Sequence, residues 1–143
     1  MKQPINNVVV EKGNPQNHPL VEYLLGRIAS LKNETGSDRT LFAACPNAKA
    51  VIRAAIRSAK RCNAPIKFAA TLNQVDTNRG YTGLNQKEFV KLIKQKARTV
   101  HYTDPIMIAI DHGGPWLKDT HKTADLPYEE IREIAQEQFL FNF

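Results

Sequence analysis

The sequence predicts an α/β fold in which helices cover a sheet of three parallel strands. Three short and almost continuously apolar segments, at 39–45, 66–72 and 106–111, have the composition of buried strands. Amphipathic helical patterns separate these segments, and polar side chains follow each of them directly. Strands that alternate with helices in this way form a parallel sheet with helices packed against it.

The first predicted helix runs from His18 to Lys32, where apolar side chains recur at three- and four-residue spacing. Gly36 is the expected left-handed residue after its end. Residues 1–16, before this helix, are rich in Asn, Gln, Pro and Gly. We predict that they form a leader segment and that the domain occupies residues 17–143.

The first strand segment, RTLFAAC, is followed by Pro46 and Asn47, which break it. The helix predicted at 48–62 has a strongly apolar face. That face consists of Val51, Ile52, Ala55, Ile56 and Ala59. The turn NAP then leads into the second strand, IKFAATL, at 66–72.

A polar loop with the sequence NQVDTNRGYTG follows the second strand. Asn85 is predicted to cap the third helix together with Glu88, three residues later. The apolar face of that helix consists of Phe89, Val90, Ile93 and Ala97. The third strand begins after TDP, and Pro127 suits the first turn of a last helix.

The composition is that of one ordinary globular domain. The chain has 143 residues, of which 42% are hydrophobic and 24% charged. No apolar run approaches the roughly 20 residues of a membrane helix, and the N-terminus lacks the apolar core of a secretory signal. A cytoplasmic location is therefore expected. Cys45 and Cys62 form no CxxC pair and are interpreted as reduced thiols.

The net charge of +6 and the pI of about 9.4 raise the question of nucleic-acid binding. The densest basic set lies on one face of the second helix and consists of Arg53, Arg57, Lys60 and Arg61. No aromatic side chains are interleaved with this set to stack on bases. We interpret it as the solvated face of an amphipathic helix, and we rank nucleic-acid binding last among the functions.

Asp111 and His112 end the third apolar strand and are followed by two glycines. In parallel α/β proteins, ligands bind at the C-terminal ends of the strands. An Asp can transfer a proton and a His can bind a metal. Adjacent side chains on a strand point to opposite faces, so the pair converges only if the backbone turns, which Gly113 permits. The alternative is an Asp that caps the next loop and a His satisfied by backbone.

The same edge of the sheet is predicted to carry Asn47 after the first strand and Asn73 and Gln74 after the second. The loop after the second strand could bind sugar hydroxyls or phosphate through its amides and backbone N–H groups. Its candidate residues are Gly80, Tyr81, Thr82 and Gly83. The alternative is an ordinary polar loop whose glycines only allow it to turn.

The segment ACPNAKAVIRAAIRSAKRCNAPIKFAATLNQVDTNRGYTG, followed by IMIAIDHGGPW, resembles the class II tagatose-bisphosphate aldolase family. The resemblance is to its Z-type, accessory-subunit branch. It extends from about Arg39 to Trp116. Three pieces carry it: AP before the second strand, NQV and GYTG after it, and DHGGP after the third strand.

This resemblance implies a (β/α)₈ TIM barrel and a role in carbohydrate metabolism. It implies that Asp111 is the catalytic proton-transfer residue and that His112 is a ligand of zinc or another divalent metal. The candidate substrate-binding residues are Asn47, Asn73, Gln74, Gly80, Tyr81, Thr82, Gly83 and Gly113.

Two features depart from that pattern. The Z-type branch usually has a His after the first strand, where this chain has Cys45, Pro46 and Asn47. The other zinc-binding His residues of catalytic relatives come from later strands. Strand starts near 40, 66 and 106 give an average of about 33 residues per unit, so eight units need about 260 residues, near the ~250 of a typical barrel. The chain is therefore expected to be the N-terminal part of a barrel, with three strand–helix units.

We rank an accessory, non-catalytic subunit or an incomplete lyase first among the functions. The alternative is a metal-dependent ketose-phosphate C4 epimerase or aldolase in a full-length form. The isolated chain is predicted to be inactive and to bind no metal tightly, because zinc sites use three or four protein ligands. The predicted partners are a ketose bisphosphate or a catalytic aldolase subunit, in a homo- or hetero-oligomer and without a membrane.

Overall fold

Three parallel strands form a single sheet in the order β1-β2-β3. The computed structural model describes residues 19–112 and 124–142. The strands are β1 (Ala43–Ala44), β2 (Ile66–Thr71) and β3 (Ile106–Asp111), and both strand pairs are parallel. The predicted α/β fold with a parallel sheet is confirmed. The predicted leader segment, 1–16, lies outside the described residues.

In residues 19–112 and 124–142, four helices accompany the sheet: α1 (Leu20–Thr35), α2 (Lys49–Cys62), α3 (Gln86–Thr99) and α4 (Tyr128–Asn142). They alternate with the strands, so that α2 connects β1 to β2 and α3 connects β2 to β3. No helix in the described part of the chain is long and apolar enough to cross a membrane.

The two faces of the sheet differ in burial because side chains alternate along each strand. On β2, Ile66, Phe68 and Ala70 are fully buried, whereas the side chains between them are only partly buried. The buried face packs against α2 and α3. These helices contribute Ile52, Ala55, Ile56, Ala59, Phe89, Ile93 and Ala97. Each large side chain that is fully buried here contributes about 1.5–3 kcal/mol.

The helix-end signals in the sequence are confirmed. The Asn85 side chain accepts a hydrogen bond from the Glu88 backbone N–H at 2.9 Å, and the Glu88 carboxylate accepts one from the Asn85 N–H at 3.0 Å. Gly36 has φ 68° after α1, and its N–H donates to the Lys32 carbonyl at 2.8 Å. Helix α1 extends to Thr35, three residues beyond the predicted end.

The first strand is shorter than predicted. The apolar pattern predicted a strand at 39–45, whereas β1 contains only Ala43 and Ala44. Ala43 pairs with Lys67, so residues 39–41 would have to pair with residues 63–65. That segment contains Pro65 and Asn63, which has a left-handed φ of 47° at the end of α2. Because residues 63–65 form no strand, residues 39–41 have no strand to pair with.

Candidate functional site

The candidate site lies at the C-terminal edge of the sheet. The register aligns Thr71, the last residue of β2, with Asp111, the last residue of β3. Because the strands are parallel, their C-terminal ends share one edge. The polar residues that follow the strands therefore lie along this edge: Asn47 after β1, Asn73 and Gln74 after β2, and His112 after β3.

Asp111 and His112 are both exposed at the end of β3. Asp111 is in register with Thr71, so it lies on the sheet face opposite the one that α2 and α3 cover. His112 itself adopts the left-handed conformation, with φ 54°, which His tolerates better than most non-glycine residues. The turn that could bring the two side chains together thus begins at His112. Gly113, where the sequence placed it, lies outside the described residues.

Gln74 connects the ends of two strands. Its side chain is buried, with 5% exposure. Its Oε1 accepts hydrogen bonds from the Thr71 backbone N–H at 2.8 Å and from the Cys45 thiol at 3.1 Å. A buried amide oxygen with two donors holds both strand ends in place. The structure therefore gives Gln74 a positioning role at the edge, and its contact with substrate stays a prediction.

The loop after β2 folds back on the end of that strand. The Tyr81 N–H donates to the Asn73 carbonyl at 2.9 Å, and the Thr82 hydroxyl donates to the Gln74 carbonyl at 2.6 Å. Gly80 has φ 48°, and a Cβ added to it would lie 2.5 Å from the Gln74 carbonyl carbon and oxygen. Only glycine fits such a close approach of two backbone segments.

Two of the candidate residues in this loop remain open to a ligand. Tyr81 is 63% exposed. Gly83 has φ 73°, with open space where a Cβ would be. Tyr81 could therefore stack on a sugar or donate its hydroxyl, whereas the loop's backbone is largely occupied by its own hydrogen bonds. Asn47 is exposed beside the buried Pro46.

A buried carboxylate in the same loop was missed by sequence reasoning. Asp76 is only 1% exposed. Its Oδ1 accepts hydrogen bonds from the Thr77 N–H at 2.7 Å and from the Gln86 side chain at 3.4 Å. Asp76 thereby links the loop to the first turn of α3. The signal in the sequence is the position of Asp76 directly after Val75, an apolar residue in an otherwise polar loop.

A metal would find few ligands among the described residues. In residues 19–112 and 124–142, no three side chains of His, Cys, Asp and Glu come together as a metal-binding group. At the edge itself, Asp111 and His112 provide one carboxylate and one imidazole. The Cys45 thiol, nearest to the position where the Z-type branch has a His, donates to Gln74.

Comparison with a protein-family model identifies the chain. Residues 27–137 match the family described as "D-tagatose-1,6-bisphosphate aldolase subunit GatZ/KbaZ-like". This chain belongs to the GatZ/KbaZ-like family. The match contains all three strands and the edge described above, and it confirms the resemblance found in the sequence. The GatZ/KbaZ-like family connects this chain to tagatose-bisphosphate aldolase-related carbohydrate metabolism.

A solved structure is also similar to this GatZ/KbaZ-like chain. It is that of a protein from Sinorhizobium meliloti 1021 described as a "probable tagatose 6 phosphate kinase". The identity is 28% and the TM-score is 0.57. The similarity covers 73% of this chain and 27% of the other chain. This chain thus spans about a quarter of that protein's length.

Proposed function

We propose that this chain acts in ketose-phosphate metabolism by contributing the Asp111–His112 edge to a tagatose-bisphosphate aldolase assembly. The observation that carries the proposal is the exposed pair at the end of β3, in register with the end of β2, within the stretch that matches the family. Parallel α/β folds place their chemistry at this edge. A cytoplasmic location fits this role.

Asp111 has the position of a proton-transfer residue. It is the last residue of β3, it is exposed, and it lies on the sheet face that α2 and α3 leave uncovered. A carboxylate there can take a proton from a carbon next to a ketose carbonyl and later return it. The Gln74 amide, which holds the ends of β1 and β2, would keep the neighbouring strand end fixed while this occurs.

His112 would provide one ligand of a divalent metal, which would polarise a ketose carbonyl when bound. The described residues do not complete such a site, because tight zinc sites use three or four protein ligands and this edge offers one imidazole and one carboxylate. The chemistry attributed to this chain alone is the binding of a sugar phosphate, and proton transfer by Asp111 belongs to the complete or partnered form.

We propose an accessory role in preference to independent catalysis. The family is described as an aldolase subunit, and a subunit implies a catalytic partner. The part of the chain that the structure describes offers an incomplete set of metal ligands, which fits a protein that supports activity in another chain. The alternative is an aldolase or C4 epimerase that is active when further strand–helix units complete the barrel.

Binding of D-tagatose 1,6-bisphosphate, measured by isothermal titration calorimetry, tests the site. We expect Asp111→Asn and His112→Asn to weaken binding about tenfold, because hydrogen bonds to charged groups contribute about 1.5–3 kcal/mol. His101→Asn is a matched control. His101 is also exposed and left-handed, with φ 52°, but it precedes β3 and so lies at the opposite edge.

Asn is the replacement of choice because it tolerates the left-handed conformation. Equal weakening by His101→Asn and His112→Asn would reject the edge as the site. The accessory role is tested by measuring aldol cleavage with the chain alone, with a catalytic tagatose-bisphosphate aldolase subunit alone, and with both together. Cleavage by this chain alone would favour the alternative.

A further inference from the structure

Helices α2 and α3 form a strongly basic layer on the outside of the sheet. Together they contain ten Lys and Arg residues and one carboxylate, a net charge of +9. The whole chain has a net charge of +6, so the remainder has a net charge of −3. The basic character of this protein is thus a property of one surface, and α2 itself contains no Asp or Glu.

A groove of about 600 Å³ runs along this layer. Four of the cations that line it recur every four residues along α2, and a fifth lies on α3. They are Lys49, Arg53, Arg57, Arg61 and Lys96. Ala50 and Ala54 also line the groove. Small side chains between long basic ones form the kind of channel into which the side-chain ridge of another helix packs.

The four cations on α2, which we call the basic ladder, are costly to the helix. Like charges four residues apart destabilise it, and no carboxylate pairs with Arg53, Arg57 or Arg61 within the part of the chain that the structure describes. The ladder extends over thirteen residues, Lys49 to Arg61, or about 18 Å of helix. An ordinary solvated face mixes both signs, so a single-sign ladder suggests an anionic partner of similar length.

Helix α4 has the complementary pattern. Glu129, Glu133 and Glu137 recur every four residues along it, and with Glu130 and Arg132 they give the helix a net charge of −3. These glutamates are exposed. Among the described residues that line the basic groove, none belongs to α4. The basic ladder on α2 and the row of glutamates on α4 therefore have the same spacing and opposite charge, and yet none of the described α4 residues lines the groove of its own copy.

We propose that the basic ladder is an association surface that binds α4 of a second copy of this chain. The inference goes beyond the proposed function and uses no residue of the candidate site. Helix-on-helix packing suits the groove, because ridges of residues four apart fit between similar ridges on another helix. Single-stranded nucleic acid is favoured less, because such sites use aromatic stacking platforms and none of the described residues that line the groove is aromatic.

Sedimentation velocity of the 143-residue chain tests this inference. We expect self-association at about 0.05 M NaCl and dissociation at about 1 M, where charges are screened within about 3 Å. Arg53→Glu with Arg57→Glu should weaken self-association at low salt at least tenfold. The control pair, Lys32→Glu with Arg39→Glu, changes the net charge equally and lies outside the groove. Circular dichroism would verify that each variant folds.

A variant with four charge reversals tests whether α4 of a second copy is the helix that binds in the groove. Arg53→Glu and Arg57→Glu, combined with Glu133→Arg and Glu137→Arg, should restore self-association, because two reversed positions on each helix then meet again with opposite charge. Failure of this variant to recover would overturn the inference, as would a monomer at low salt. Association that persists at high salt and ignores Arg53→Glu with Arg57→Glu would also overturn it and indicate pairing at the sheet edges. Loss of association after nuclease treatment would overturn it in favour of nucleic acid.

Discussion

The ends of β2 and β3 lie side by side at one edge of the sheet, and they are built in opposite ways. After β2, the backbone turns back on itself, Gln74 is buried, and Gly80 lies against the strand end with no space for a side chain. After β3, Asp111 and His112 are exposed. The first end is closed by its own hydrogen bonds, whereas the second presents an acid and an imidazole to solvent. That difference favours a functional role for the end of β3.

The largest effect on stability is expected from adding a side chain at Gly80, which lies against the end of β2. Gly80→Ala places a methyl group 2.5 Å from the Gln74 backbone at a positive φ. We expect it to lower the free energy of unfolding by about 3 kcal/mol, as measured by urea denaturation. The control is Gly83→Ala, because Gly83 has a positive φ but open space around it, and about 1 kcal/mol is expected there. Equal losses would mean that the close approach contributes little.

The sequence predicted the closely packed part of this fold well. Helices α2 and α3 have apolar residues at helical spacing, and Ile52, Ile56, Phe89 and Ile93 are buried as that spacing requires. The Asn85 cap was predicted because capping depends on neighbours within four residues. Signals of this kind are local, so one sequence is enough to find them.

What the sequence did not predict depends on contacts between distant residues. The short β1 follows from its register with β2, because the residues that would extend the ladder lie at the end of α2. The burial of Asp76 depends on Gln86, ten residues later. Gln74 was predicted as a substrate ligand because it follows a strand, and its bond to Cys45, 29 residues earlier, has no local signal.

The N-terminal edge of the sheet, opposite the site, is also closely packed, and an intermediate effect on stability is expected there. Tyr102 is buried there, and its hydroxyl donates to the Ala64 carbonyl at 2.6 Å. Burial raises the pKa of the Tyr102 hydroxyl above its ordinary value of 10.0, and the Asp104 charge raises it further. The pKa of the Tyr102 hydroxyl is therefore higher in the folded chain than in the unfolded chain. For this reason, the contribution of the neutral hydroxyl to the free energy of unfolding is fully present below pH 10 and is lost as the pH rises above that value.

Tyr102→Phe should therefore make the free energy of unfolding depend less on pH in the alkaline range. At neutral pH we expect it to lower the free energy of unfolding by about 1–2 kcal/mol, because the Ala64 carbonyl loses its donor. Between about pH 10 and 12, the wild-type chain should lose stability faster than the variant in urea denaturation. Tyr81→Phe is the control, because Tyr81 is 63% exposed. Parallel pH profiles for wild type and Tyr102→Phe would contradict the role of burial.

The smallest effect on stability is expected at the end of β3. Asp111→Asn and His112→Asn should each change the free energy of unfolding by less than about 0.5 kcal/mol, as is usual for exposed positions. The measurement is again urea denaturation, with His101→Asn as the control for replacing a left-handed His. If both variants unfold as the wild type does and still lose sugar-phosphate binding, then the fold does not depend on this pair and the ligand does. A loss of several kcal/mol for His112→Asn alone would instead make His112 part of the turn that ends β3, and its exposure would no longer be an argument for function.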